Sequence, residues 1–204
     1  MNSGPTAERV YEALKRQITS RAFRPGDRLD PAALAEALSS SVTPVRDALH
    51  LLTGEGLVAT GTGEGFHLPL LDQPALSDLY AWTSEVLVLA VRAWRASPDE
   101  GHRPSLAGLN AADFPKRTGK LFAAVAERSD NAEHARAVAS LNDCLHAARM
   151  VEPQILGGIA AELEAIEAAL ASSDRNLLRK QIAAYHRRRR RQAAQIVRAI
   201  YRAD

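Results

Sequence analysis

The sequence predicts a mainly α-helical protein: an N-terminal winged helix-turn-helix joined to an antiparallel α-helical bundle. Three observations carry that reading. Hydrophobic residues make up 46% of the 204 residues but aromatic ones only 5%, with alanine and leucine abundant, which favours helices packed on helices over a β-rich core. Residues 31–70, PAALAEALSSSVTPVRDALHLLTGEGLVATGTGEGFHLPL, read as two short helices separated by a serine turn and followed by a small hairpin. Leu71-Asp72-Gln73-Pro74 then interrupts the strand pattern, and helical spacing of apolar residues resumes after it. The expected domains are 1–70, a linker at 71–74, and 75–204.

From Thr6 to about Ser20, Val10, Leu14 and Ile18 repeat every four residues with Tyr11 beside them, the mark of an amphipathic helix. Phe23-Arg24-Pro25-Gly26-Asp27 is a turn, because proline presets one turn position and glycine accepts the positive φ that follows. Arg28-Leu29 is a candidate short strand for the later hairpin. Asp30 and Pro31 open a second helix as cap and first residue, with Leu34 and Leu38 inward, and Ser39-Ser40-Ser41 breaks it.

The third helix carries the functional reading. Thr43 is its expected cap and Pro44 its first residue, Val45, Leu49 and Leu52 form one apolar stripe, and Gly54 and Gly56 end it. Arg46 and His50 then share another face. An arginine in the first turns of such a helix is where helix-turn-helix proteins place a side chain that reads the major groove; the bland alternative is a solvated arginine paired with Asp47 or Glu55. Ser41 and Thr43 are placed either to bond backbone phosphates or to hold the helix start. Leu57 to Thr60 and Phe66 to Leu70 read as strands around Gly61-Thr62-Gly63-Glu64-Gly65, a candidate wing.

In the second part, Asp78 to Ala96 reads as a helix with Leu79, Trp82, Val86, Leu89 and Ala93 on its inner side. Ser97 to Pro115 is rich in proline, glycine and small polar residues and reads as irregular. Helices are expected at about Arg117–Glu127, Ala132–Val151, Pro153–Ser172 and Asp174–Tyr201, an antiparallel bundle with short connections.

Composition excludes several classes. A single cysteine, Cys144, rules out an internal disulfide and a cysteine-rich zinc finger, which fits a reducing, cytoplasmic setting. No apolar run reaches ~18 residues, so no membrane span is expected. No glycine-rich phosphate loop, G-x-S-x-G or H-E-x-x-H is present, so an enzyme is not expected. Residues 1–70 hold seven basic side chains against eight acidic ones, net −1, which leaves few phosphate contacts available.

Arg24-Pro25-Gly26-Asp27-Arg28-Leu29, Leu34-Ala35-Glu36-Ala37-Leu38, Thr43-Pro44-Val45-Arg46-Asp47-Ala48-Leu49 and Leu52-Thr53-Gly54-Glu55-Gly56-Leu57-Val58 occur in that order. Over about residues 8–70 this resembles the N-terminal domain of GntR-family bacterial transcription regulators. The resemblance implies DNA contacts at Ser41, Val42, Thr43, Arg46, His50 and the wing residues Glu64 and Gly65. Three positions depart from the family pattern: Val42 replaces an arginine that commonly contacts DNA, Ala32 stands where some members carry another, and Glu64 where a basic residue is usual.

Leu121-Phe122, Asn131, Glu162-Leu163, Ile166, Ala169 and Asp174 follow the order of the helical effector domain of the FadR branch, in its smaller six-helix form. Many relatives hold a divalent metal there with an aspartate and three histidines, and a carboxylate metabolite binds to it. The corresponding positions here are Thr118, Phe122, Leu163 and Tyr185, with His186 one residue beyond, and two further pocket positions are Thr83 and Leu87 in place of arginine and glutamate. The resemblance therefore implies no metal and no cofactor, and a pocket at Thr83, Leu87, Thr118, Phe122, Tyr185 and His186 that is small, apolar or filled by its own side chains.

Asp143 and His146 are three apart on one helix, a spacing open to a shared ligand or to ordinary surface roles, and His134 beside Glu133 is weaker still. Arg187 to Arg191 spans more than a helical turn, so its five arginines cannot face one partner. It reads as a solvated basic collar, with DNA backbone or an acidic partner as the alternative. The expected protein is a homodimeric repressor that reads an inverted-repeat operator in double-stranded DNA and responds to a small-molecule effector of unknown identity; the alternative is a dimeric interaction protein of the same fold that has lost operator binding.

Overall fold

The computed structural model describes residues 4–61, 65–94 and 113–202, and the chain divides into two units, Met1–Leu71 and Asp72–Asp204. In the first unit, α1 (Gly4–Thr19) buries the stripe Val10, Leu14 and Ile18. The turn that follows is closed twice: the Asp27 N–H donates to the Arg24 carbonyl at 3.0 Å and the Arg24 N–H donates to Asp27 Oδ2 at 2.7 Å. Gly26 has φ +90, a backbone conformation that strains any other residue, and a Cβ there would also push against Leu70 Cδ2 at 2.9 Å.

β1 (Arg28–Leu29) leads into α2 (Pro31–Ala37), whose first N–H groups at Ala32 and Ala33 donate to Asp30 Oδ1 at 2.8 and 3.2 Å. The reversal is at Ser39, φ +49. α3 (Val42–Gly54) begins earlier than the sequence suggested: the N-cap is Ser41, with no side-chain cap bond, and Thr43 and Pro44 lie inside the first turn. Proline is as acceptable there as at the first position, because none of the leading N–H groups has an intrahelical acceptor.

Gly56, φ +77, ends α3 in a Schellman motif, with the Leu57 N–H on the Leu52 carbonyl and the Gly56 N–H on the Thr53 carbonyl. Two short strands, β2 (Ala59–Thr60) and β3 (Phe66–His67), complete a sheet of order β1-β3-β2, antiparallel throughout, with Leu29 opposite Phe66 and Thr60 opposite Phe66. The strands are shorter than expected, because Leu57 and Val58 turn into the core as the helix cap closes. α1 and the end of α3 are also tied by polar groups: Lys15 Nζ meets Glu55 Oε2 at 2.9 Å, and the Tyr11 hydroxyl donates to Glu55 Oε1.

In the second unit, α4 (Gln73–Arg92) takes in the second half of the expected linker, since the Asp72 carboxylate accepts the Ala75 N–H at 2.8 Å and starts the helix there. Its inner face is not the expected one. Leu76, Tyr80, Thr83, Val86, Leu87, Ala90 and Val91 are buried, whereas Trp82 and Leu89 are 52% and 44% exposed. Two stripes on this helix have apolar spacing; the one with two hydroxyls turns inward because both find partners, Tyr80 on Glu152 Oε1 at 2.7 Å and Thr83 on the Leu79 carbonyl at 2.7 Å.

Of the expected irregular stretch, 97–112 lies outside the described residues, while Asp113 caps α5 (Phe114–Glu127). α6 (Ala132–Cys144), capped by Asn131, and α7 (His146–Val151) replace one expected helix, with the break at Leu145. Glu152–Gln154 is a 3₁₀ turn around Pro153, and Gly158, φ +72, precedes α8 (Ile159–Ala171), so the α-helix expected from Pro153 begins only at Ile159. α9 (Arg175–Arg191), capped by Asp174, and α10 (Ala193–Arg202) are separated at Gln192, whose N–H bonds three residues back to Arg189 instead of four. α4 packs along α9, α5 on α6, and α8 on α9, around a core that includes Leu87, Leu121, Phe122, Val125, Leu163, Ile166 and Ile182. Among the described residues, no helix is long and apolar enough to cross a membrane.

Candidate functional site

Val45, Ala48, Leu49 and Leu52 hold α3 against the first unit's core, which leaves Ser41, Val42, Thr43, Arg46 and His50 exposed. Arg46 enters no salt bridge among the described residues, and Glu55, one of its two expected partners, is instead engaged by Lys15 and Tyr11. His50 is less free: its ring meets the edge of Phe66 in β3 at 4.9 Å between centroids, which ties the helix face to the wing. With no side-chain cap at Ser41, the first N–H groups of α3 face outward as donors suited to an anion. Gly65 accepts the Gly61 N–H at 3.3 Å at the base of the wing. Glu64 lies outside the described residues.

The geometry of this unit coincides with a sequence match: the family described as "Bacterial regulatory proteins, gntR family" matches residues 6–68. The N-terminal unit is a GntR-family helix-turn-helix domain. Members of the GntR family are transcription regulators, not enzymes. The Nta operon transcriptional regulator of Aminobacter aminovorans is 41% identical to this chain over 70 residues, 34% of this chain and 33% of the relative. The regulator McbR of Escherichia coli is 33% identical over 82 residues, 40% of this chain and 37% of the relative. These matches thus span well under half the length of the curated relatives. Among solved structures, a GntR regulator from Rhodococcus sp. RHA1 superposes with TM-score 0.76 at 18% identity, covering 94% of this chain and 98% of that one. The E. coli McbR/YncC structure superposes with TM-score 0.63 at 20% identity, covering 93% and 97%. Both chains share the fold, helical unit included.

In the helical unit, every expected pocket residue is buried: Thr83, Leu87, Thr118, Phe122, Tyr185 and His186 are each at most 2% exposed, and so is Leu163, at a position where relatives carry a ligand in the resemblance. Phe122 meets Tyr185 edge-on at 5.1 Å and stacks on His186 at 5.3 Å, and Tyr185 and His186 are 4.9 Å apart. Thr118 lies beside the Tyr185 hydroxyl, and Leu87 and Leu163 belong to the same core. These residues do not fit the divalent metal site raised by the resemblance in the sequence. Phe122 and Leu163 offer only hydrocarbon where ligands would stand, and among the described residues no three His, Cys, Asp or Glu side chains cluster to hold an ion.

Three buried charges were not expected. Arg189, inside the arginine run and fully buried, donates from Nε to Glu152 Oε2 at 2.9 Å and from Nη1 to Glu162 Oε2 at 2.8 Å. Burial opposes its charge, but Tyr185, Glu152 and Glu162 hold its pKa above the ordinary value. Arg149 is 1% exposed; its Nη1 donates to Asn142 Oδ1 at 2.9 Å, and Asn142 in turn donates to the Gly119 carbonyl at 2.9 Å. Glu152, 2% exposed, also accepts the Tyr80 hydroxyl, and burial with Glu152 nearby pushes the Tyr80 pKa well up. The collar reading of the arginine run is therefore corrected: Arg187, Arg190 and Arg191 are exposed, but Arg188 reaches the Gly157 carbonyl and Glu162, and Arg189 is core. A signal was present, since Leu178, Ile182, Tyr185, Arg189, Ala193 and Ile196 continue one stripe through the run.

His134 Nδ1 pairs with Ser129 Oγ at 2.7 Å beside the cap of α6. Burial, then Arg149, lowers the pKa of His146.

Proposed function

We propose that the chain is a homodimeric, DNA-binding transcription repressor of the FadR branch of the GntR family, whose operator affinity is set by a small molecule in the pocket at Thr83, Leu87, Thr118, Phe122, Tyr185 and His186. The observation that carries the DNA reading is the solvent face of α3, where Arg46 forms no salt bridge among the described residues and Ser41 makes no side-chain cap bond. In the major groove, Arg46 offers a bidentate donor to guanine, and Ser41, Val42 and Thr43 approach the flanking backbone and base edges. His50, steadied by Phe66, and the wing residues Glu64 and Gly65 complete the contact set. Two such helices related by a twofold axis read an inverted repeat. Both the named relatives, which are regulators, and the shared fold of the helical unit support this. The effector acts by favouring one arrangement of the dimer over another, so it must bind the two with different affinity.

Selection of genomic fragments by the purified protein, followed by titration of the best fragment at two salt concentrations, tests the proposal. An inverted repeat is expected, with Arg46→Ala losing roughly 1–3 kcal/mol of specific binding at fixed salt. Enrichment of no fragment even at low salt would replace this reading with that of a dimeric interaction protein.

A further inference from the structure

From Arg175 to Arg202, the span of α9 and α10, ten side chains are basic and none is acidic. Half of the ten are held by the protein. Arg189 pairs with Glu152 and Glu162, Arg188 reaches the Gly157 carbonyl and Glu162, Arg175 the Trp94 carbonyl, Arg179 Asn176 and Arg190 Ser77. The other five, Lys180, Arg187, Arg191, Arg198 and Arg202, are exposed and make no hydrogen bond or ion pair among the described residues.

These five are not scattered. They follow one another at intervals of seven, four, seven and four residues, so at about 100° per residue they fall within an arc of about 60°. That arc lies opposite the stripe of Leu178, Ile182, Tyr185, Arg189, Ala193, Ile196 and Ile200, which the bundle buries on both sides of the break at Gln192. The row is about 33 Å long at 1.5 Å per residue, close to one turn of B-form duplex. Arg198 and Arg202 also line, with Gln154 and Gln195, an open groove of about 420 Å³, which sets amide donors beside the guanidinium donors. Like charges four apart weaken a helix, and Arg187 with Arg191 and Arg198 with Arg202 are two such pairs, with no carboxylate on either helix to offset them.

We propose that the outer face of α9 and α10 binds the phosphate backbone of double-stranded DNA, without regard to base sequence, through Lys180, Arg187, Arg191, Arg198 and Arg202. This rests on the DNA-binding reading and adds a second contact surface to it. Residues 1–70 carry a net charge of −1, so the first unit has little with which to neutralise phosphates, and this row supplies what it lacks. Guanidinium forks match phosphate oxygens, and glutamine is a usual backbone donor. A membrane surface fits less well, because the apolar side of both helices is buried in the bundle and none of it is left to insert. An acidic protein fits less well too, because Ala184, Ala194 and Gln195, which fill the gaps of the row, offer no large apolar anchor.

The test uses the full chain and a fluorescein-labelled mixed-sequence duplex of about 40 base pairs, titrated by anisotropy between about 50 and 200 mM KCl. Lys180→Gln, Arg187→Gln, Arg191→Gln, Arg198→Gln and Arg202→Gln combined should lower the slope of log affinity against log salt by about four, at about 0.9 per phosphate contact. Affinity at the lower salt should fall more than tenfold. Replacing the four arginines by lysine keeps the charge and should keep most of the slope. If the fivefold variant does not fold, Arg187→Gln with Arg191→Gln, and Arg198→Gln with Arg202→Gln, carry the test at about two each. A slope change below about one in the glutamine variants, or an equal loss in the lysine variant, overturns the proposal. So does tighter binding, at equal anionic charge, to vesicles of phosphatidylserine and phosphatidylcholine, or equal competition by oligoglutamate. Slope that depends on the five cations in a protein that selects no genomic fragment would keep this surface and defeat the operator reading. An operator that needs Arg46, bound with a slope indifferent to the five, would do the reverse.

Discussion

The guanidinium carbon of Arg189 lies 3.2 Å from the centroid of the Tyr185 ring one helical turn earlier, so that a fully buried cation is sandwiched between an aromatic face and two carboxylates. Removing it strands Glu152 in the core. Arg189→Ala is expected to destabilise the helical unit by about 3–5 kcal/mol, measured by urea unfolding at neutral pH. A loss under about 1 kcal/mol would show that the pair does not hold the bundle together.

Burial pushes the His186 pKa down to about 3, with Arg149 and Arg189 adding to the shift against the opposing Ile182 bond. The unfolded chain takes up a proton near the ordinary value of about 6.5 that the native state refuses. The contribution of His186 is therefore complete above about pH 6.5 and is lost as pH falls toward 3, at about 1.4 kcal/mol per pH unit. Unfolding free energies at pH 6.5 and 4.5 should differ less in His186→Gln than in the parent; equal slopes would refute the assignment.

Gly56 adopts φ +77 with nothing within 4 Å of an added Cβ. Gly56→Ala thus isolates backbone strain from crowding, and a loss of roughly 1–2 kcal/mol is expected for the first unit. A neutral result would mean that the helix ends without the left-handed residue.

Ser41 has an N-cap position but no cap bond. Ser41→Ala should change stability by less than about 0.5 kcal/mol yet weaken DNA binding in gel-shift titration, if the hydroxyl meets a phosphate. A large stability loss with unchanged DNA binding would assign it to the helix start instead.

The fold was readable where apolar period and punctuation agreed. Val10, Leu14 and Ile18 named the buried side of α1, and Asp30-Pro31 fixed the start of α2. Reading failed where two patterns competed. On α4, Trp82 and Leu89 share helical spacing with Val86, and nothing local in the sequence says that Tyr80 finds Glu152 seventy-two residues away. The start of α3 was misplaced because Thr43-Pro44 imitates the cap that Asp30-Pro31 really is. The face bearing Arg46 was legible from its spacing alone, whereas Phe122, Tyr185 and His186 are core side chains. Arg149, Asn142 and Arg189 were not legible, since charge in a sequence ordinarily means solvent.

The arginine tract also has a genetic consequence. Because 187–191 is homopolymeric, gaining or losing one codon there leaves an arginine at position 189, so the buried cation survives. What moves is everything after it: the helix turns by about 100° per residue, and Ala193, Ile196 and Ile200, all buried in α10, would swing out of register together. Frame-preserving slippage in this tract is therefore felt by the last helix alone, while the core around Tyr185 keeps its wild-type composition.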